Sequence, residues 1–249
     1  ITRFIEKTVK ELKGYKSIKY WDIWNEAHLN TLADVSRWDL DEITCYCPYC
    51  EEGYKNWRRR NPHLTKKISS DGWEGIDLPE LPPAKDMVKD WRWRLYFINE
   101  VMTGEARRRY EAIRKHDTRP IALHVCFVST VRNIIGVGND DWQLANCVDI
   151  HGVTSSGPSS TAEDIGENTY WLAPLVLDET RSAANGKEFW LSEWHVSGHG
   201  HSGALAGLRH RSFEAVKIEY FEALVRGVTG LFVWAYRTFS NSFCLINAY

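Results

Sequence analysis

"WDIWNEAH", residues 21–28, decides the fold. Trp21, Ile23 and Trp24 are the aromatic and β-branched residues that suit a buried, pleated surface. The chain then presents Asn25, Glu26 and His28. An apolar strand that stops at a carboxylate fits a (β/α) barrel, which gathers its chemistry at the C-terminal ends of its strands.

Working outward, "ITRFIEKTVKELKG" sets Ile1, Phe4, Ile5, Val9 and Leu12 on one helical face, with Gly14 as a stop. Residues 48 to 60 read as a helix that ends at Asn61-Pro62, and a loop containing Pro and Gly runs on to Pro83. From Asp86 to His116 the apolar residues Met87, Trp91, Leu95, Ile98, Met102, Ala106, Tyr110 and Ile113 recur every third or fourth position, the period of an amphipathic helix. "RPIALHVCFV", "VDIHGV", "EFWLSE" and "TGLFVWAY" read as strands. Between them, "DDWQLANC", residues 169–184 and "RSFEAVKIEYFEALVRG" read as helices.

This alternation predicts a parallel sheet with right-handed crossovers. A doubly wound sheet would carry a Gly-rich phosphate turn after an early strand, and "GVGND" at 136–140 is too short to be one. Polar residues at strand ends (Asn25, Glu26, His124, His151, Glu193 and Tyr236) favour the barrel, with five strands present of the eight it needs.

The chain has 249 residues, 43% of them hydrophobic, enough for one large core. It shows no internal repeat and no linker that would divide it. A net charge of −2 gives no basis for a nucleic-acid partner. Arg58–Arg60 and Arg107–Arg109 are expected on solvated helix faces. No apolar stretch reaches the ~18 residues that cross a membrane, so no membrane partner is expected. Because the chain begins at Ile1 without a Met, its native start is expected upstream; a cytoplasmic location is favoured, with secretion left open.

Glu26 and Glu193 each end a strand, so a barrel would aim both into one bowl. Two carboxylates across a cleft are the working parts of glycoside hydrolysis: one donates a proton to the leaving oxygen, the other attacks or activates water. Trp21, Trp24, Trp190 and Trp194 are expected to wall the two acids, and Trp24 and Trp194 to contact substrate. His124 and His151 are expected to touch sugar hydroxyls. The loop carrying His195, His199 and His201 is expected to be a mobile sugar-contacting segment.

Cys45, Cys47 and Cys50 form C-x-C-x2-C, three of the six cysteines within six residues. That spacing points to a structural Zn²⁺ site rather than disulfides, with His63, Glu51 or water as a fourth ligand. Cys126, Cys147 and Cys244 read as small core residues.

At these motifs the chain resembles the clan A glycoside hydrolases, most closely the family 42 β-galactosidases. "WDIWNEAH" resembles the Asn-Glu end of the fourth strand, "FWLSEWH" the end of the seventh, and "CYCPYC" the family's cysteine cluster. The resemblance implies a (β/α)8 TIM barrel of which residues 1–249 hold strands 4 to 8, with the first three βα units upstream. It implies a retaining double displacement, with Glu26 as acid/base and Glu193 as nucleophile. Asn25 would hold the sugar 2-hydroxyl, Trp234 or Tyr236 the sugar face. The fourth zinc cysteine would come from upstream, catalysis would need no cofactor, and a homotrimer is implied as the assembly. β-Galactosides are the first expectation, with a β-glucosidase, a β-glucuronidase or a non-catalytic carbohydrate-binding barrel as alternatives. The chain departs from the family in having Trp24 before Asn25-Glu26, where Asp is common, and Ser156 where a Tyr usually stands.

Overall fold

Helix periodicity is the strongest signal in the chain, and the longest element follows it. The structure, a computed structural model, describes residues 1–27, 47–62, 85–126, 139–155, 172–195 and 213–234. The helix expected over Asp86–His116 runs from Lys85 to Arg114 and buries Ile98, Met102, Ala106 and Ile113 in the main core. Around it the described elements run in order: α1 (Thr2–Leu12), β1 (Trp21–Asp22), α2 (Pro48–Arg60), α3 (Lys85–Arg114), β2 (Ile121–Val125), α4 (Asp141–Ala145), β3 (Ile150–Ser155), α5 (Leu172–Ala184), β4 (Phe189–His195), α6 (Phe213–Val225) and β5 (Gly230–Trp234).

The five strands pair in parallel in chain order, β1 to β5, each reached through a helical crossover. That order is the walk of a barrel wall, not the reversing order of a doubly wound sheet. The five strands curl as part of a (β/α)8 barrel, as expected.

Two cores lie on opposite faces of this wall. Between strands and helices, Val9, Ile98, Met102, Ile121, Leu123, Val125, Val153 and Leu191 form the larger one. Inside the curl, Ala122, Ile150 and Trp190 pack with Tyr20 and Phe232 as the smaller. The inner cluster makes a floor of aromatic rings, Trp190 meeting Tyr20 edge-on at 4.5 Å and Phe232 at 5.2 Å between centroids. Alternation along a strand then settles which residues above the floor face inward.

Local chemistry fixes the connections. Asp140 caps α4 by accepting a hydrogen bond from the Gln143 backbone N–H. Arg119, just before β2, donates to the carbonyls of Tyr15 and Ile18 and to the Asp117 carboxylate, tying the segment after α1 to the start of β2.

Candidate active site

Tyr20 belongs to the inner floor, so Asp22, two residues on, faces inward as well. Ala122 places His124 on the same side, and Ile150 does so for Gly152. Three neighbouring strands therefore present Asp22, His124 and Gly152 in one layer above the floor.

At the fourth strand, simple alternation would fail the site. Trp190 lies inside and Leu191 outside, so a regular strand would return Ser192 to the bowl and send Glu193 to the helices. The register shows otherwise. Val153 and Thr154 of β3 stand opposite Leu191 and Glu193, so β4 carries one extra residue. The same slip appears against β5, where Leu191 and Trp194 face Leu231 and Val233. This is a β-bulge at Ser192–Glu193, and it turns the carboxylate inward. Ser192 points at Gly152, and Glu193 Oε2 lies 4.0 Å from His124 Nε2.

Glu26 stands at another bulge, the first of the two in chain order. The His124 N–H reaches the Trp24 carbonyl at 3.5 Å, and the His124 carbonyl accepts from Ala27 N–H at 2.8 Å. A regular parallel ladder has one residue between such bonds; here there are two, Asn25 and Glu26. Glu26 takes φ 49°, a left-handed conformation uncommon outside glycine and frequent at functional sites.

The inner residues are linked. His124 is 3% exposed, and its Nδ1 lies 3.0 Å from Asp22 Oδ2. Asp22 Oδ1 accepts the Trp24 N–H at 3.1 Å, which bends the chain into the first bulge. Beneath them, burial pushes the Tyr20 phenol above its ordinary pKa, and the Asp22 carboxylate adds to that effect. Chemically, the layer offers the carboxylates of Asp22 and Glu193, a buried imidazole and an aromatic floor, with the backbone of Glu26 at the adjoining bulge.

Three of the expected substrate contacts lie on the helix side of the wall. His151 is fully buried on the helix side, with its Nε2 3.7 Å from Asp141 of α4, because it alternates out of phase with Ile150 and Gly152. Trp194 follows the bulge outward and donates its indole N–H to Glu219 of α6 at 3.1 Å. Trp24 lies under the Arg109 guanidinium of α3, 4.0 Å from ring centroid to Cζ, after the turn closed by Asp22. Trp21 also faces the helices, donating to Asp117, so Trp190 is the one indole of the expected four that lines the interior.

Asn25 is exposed at the first bulge. Trp234 ends β5, and its side chain, like that of His195, lies outside the described residues. So do His28, Cys45, His63, Ser156, His199, His201 and Tyr236. Cys47 caps the N-terminus of α2 and Cys50 lies in its first turn, both half-buried. A helix N-terminus favours the thiolate form that zinc requires, so this pair fits a zinc-binding role. Among the described residues no group of three His, Cys, Asp or Glu is arranged to hold a metal.

Asp22 and Ser192 were not singled out from the sequence. Asp22 had a legible signal, a carboxylate in phase with Tyr20 in an aromatic strand. The bulge that brings in Ser192 is a property of pairing and leaves no mark in composition.

Parallel strands in barrel order, with carboxylates at their C-terminal ends, define a scaffold of the glycoside hydrolase kind. The sequence profile of glycoside hydrolase family 42, described as β-galactosidase, matches residues 1–243. The chain belongs to that family. No curated protein matches it in sequence.

Among solved structures, it is similar to the cold-adapted β-galactosidase of Rahnella sp. R3, with a TM-score of 0.68 and 16% identity, over 98% of this chain and 34% of that one. The β-galactosidase of the psychrophile Marinomonas ef1 aligns with a TM-score of 0.65 and 14% identity, over 96% and 37%. The family 42 exo-carrageenase of Bacteroides ovatus aligns with a TM-score of 0.54 and 17% identity, over 84% and 30%. The chain thus spans about a third of the length of the β-galactosidases it matches.

Proposed function

We propose that this chain carries the catalytic carboxylates of a retaining β-glycosidase, with β-galactosides as the first substrate class. The observation that carries the reading is the pair of bulges, at Asn25–Glu26 and at Ser192–Glu193, where each strand departs from regular pairing at a glutamate. Proteins keep bulges next to active sites because they re-aim a side chain.

Glu26 protonates the glycosidic oxygen while Glu193 attacks the anomeric carbon, forming a glycosyl ester and releasing the aglycone. Glu26, now ionised, takes a proton from water as that water attacks the same carbon. The ester bond breaks, and Glu193 recovers its electron pair as a carboxylate. Asn25, exposed beside Glu26, is the residue to hold the 2-hydroxyl.

The test is a substrate panel of aryl β-galactosides, β-glucosides and β-glucuronides, run on the full chain and two variants. Glu193→Gln should lower turnover by at least about 10³-fold while sugar binding persists. Glu26→Ala should lose activity most on poor leaving groups, which need the proton. Product NMR should show the β-anomer first. Binding without turnover in the unsubstituted chain would instead identify a carbohydrate-binding barrel. Because a family 42 structure is an exo-carrageenase, carrageenan belongs in the panel as the second reading.

Cys45, Cys47 and Cys50 would hold a structural Zn²⁺, which closes a loop and takes no part in the bond changes.

A further inference from the structure

We propose that Asp22 is a positioning residue shared by both carboxylates, acting on Glu26 through the first bulge and on Glu193 through His124. The proposal rests on the reading of Glu26 and Glu193 given above.

Asp22 uses both oxygens. Oδ1 accepts the Trp24 N–H at 3.1 Å and closes the turn that opens into Asn25–Glu26. This holds the backbone from which Glu26 projects at its positive φ. Oδ2 faces His124 Nδ1 at 3.0 Å. An ionised carboxylate can only accept, so Nδ1 carries the proton and the ring orientation is set.

His124 then has one nitrogen left. Nε2 is buried, makes no hydrogen bond among the described residues, and lies 4.0 Å from Glu193 Oε2. With Nδ1 committed to Asp22, Nε2 keeps the ring's lone pair and faces Glu193. A proton on the Glu193 carboxyl can pass to that lone pair, which leaves Glu193 as the carboxylate that attacks; an Nε2 already carrying the ring's proton could not take it. The ring has little freedom to turn away. It is 3% exposed and held at Nδ1 by Asp22. Among the described residues, the charged groups facing it are Asp22 from β1 and Glu193 from β4, while Gly152 and Ser192 beside it are neutral.

The diagnostic variant is Asp22→Asn, measured in the full chain. Its amide oxygen can still accept from Trp24 N–H, so the bulge survives. Its NH2 must donate to Nδ1, which drives the imidazole proton to Nε2 and inverts the tautomer. The Asp22 side chain is 35% exposed, so the isosteric change is expected to leave folding intact.

Long-range ¹H–¹⁵N correlation of the imidazole, assigned with His124→Gln, should show the proton on Nδ1 before the substitution and on Nε2 after it. kcat should fall by roughly 10–100-fold with KM little changed, the loss seen when a partner that orients a reacting group is removed. Asp22→Ala, which loses both bonds, should fall further. An Nε2 proton with a bare Nδ1 in the unsubstituted chain would overturn the proposal, and so would unchanged kcat in Asp22→Asn. Glu193→Gln runs in parallel. If it still turns over, the assignment of Glu193 fails. If it is inactive while Asp22→Asn works normally, only the positioning role fails.

Discussion

Gly152 shows how tightly the candidate site is built at the scale of one residue. A Cβ added there would stand 2.0 Å from Ser192 Oγ and 3.1 Å from both the Ser192 and His124 Cβ atoms. The hydroxyl can swing aside, but the two Cβ atoms belong to paired strands and cannot. Gly152→Ala should therefore cost about 1–3 kcal/mol, the usual penalty of overpacking, read as a lower thermal midpoint. It should also lower kcat, because relief pushes His124 and the bulge at Glu193 apart. A kcat loss without any stability loss would show that the close approach is not the cause. Glu193 itself was legible as the carboxylate at a strand end, yet the reason it faces inward was not. A strict alternation from Leu191 sends it to the helices, and only the pairing of β4 with both neighbours reveals the extra residue. The two tryptophans face the helices for different reasons: Trp194 directly follows Glu193 and alternates to the other face, whereas Trp24, two residues before Glu26, is turned outward at the Asp22 turn.

Between elements, Asp117 and Arg119 tie α1, β1 and β2 into one knot. The Arg119 guanidinium holds the Asp117 carboxyl down to about 2, chiefly through their side-chain hydrogen bonds, with Trp21 Nε1–H donating as well. A carboxyl whose folded pKa lies below its ordinary 3.8 stabilises the fold above that value. The contribution is lost as pH falls through about 2. After allowance for solvent screening, it amounts to about 1–2 kcal/mol. Asp117→Asn should remove this acid-dependent step, so urea midpoints of the variant and the unsubstituted chain should converge between pH about 4 and about 2. Parallel curves across that window would refute the assignment. α2 carries the second element-scale prediction. Cys47→Ser should lower bound zinc, measured by elemental analysis, and reduce stability, while kcat of the remaining folded enzyme stays unchanged. The helices behind these networks were read closely from periodicity: 48–60 matches Pro48–Arg60, and Asp86–His116 matches Lys85–Arg114. The first strand was read less well, because regular pairing is confined to Trp21–Asp22 before the Asn25–Glu26 bulge interrupts it.

At the scale of the whole molecule, the row of strands among the described residues ends at β1 and β5, and the apolar surface is uneven toward these two. On α6, Phe213 (75%), Ile218 (67%), Phe221 (52%) and Val225 (86%) are exposed, and on β5 Val233 is 46% exposed. At the other end Ile1 and Phe4 of the α1 region are about three-quarters exposed. In a parallel (β/α) wall each unit is covered by the next, so side chains of this kind are buried only where another unit follows. Isolated apolar residues on a surface are ordinary, but four on one short helix beside a terminal strand form a patch that favours association. The chain of 249 residues on its own should therefore self-associate as concentration rises, and bind a hydrophobic dye in proportion. The double variant Phe213→Glu, Val225→Lys changes two of the most exposed side chains of α6 and leaves the bowl untouched. Sedimentation velocity should show it shifted toward monomer, with the circular dichroism of the fold preserved. If both proteins sediment as monomers over the same concentration range, the exposed face of α6 is not adhesive. If both associate equally, the contact lies elsewhere, and the opposite end at Ile1 and Phe4 is the next surface to charge.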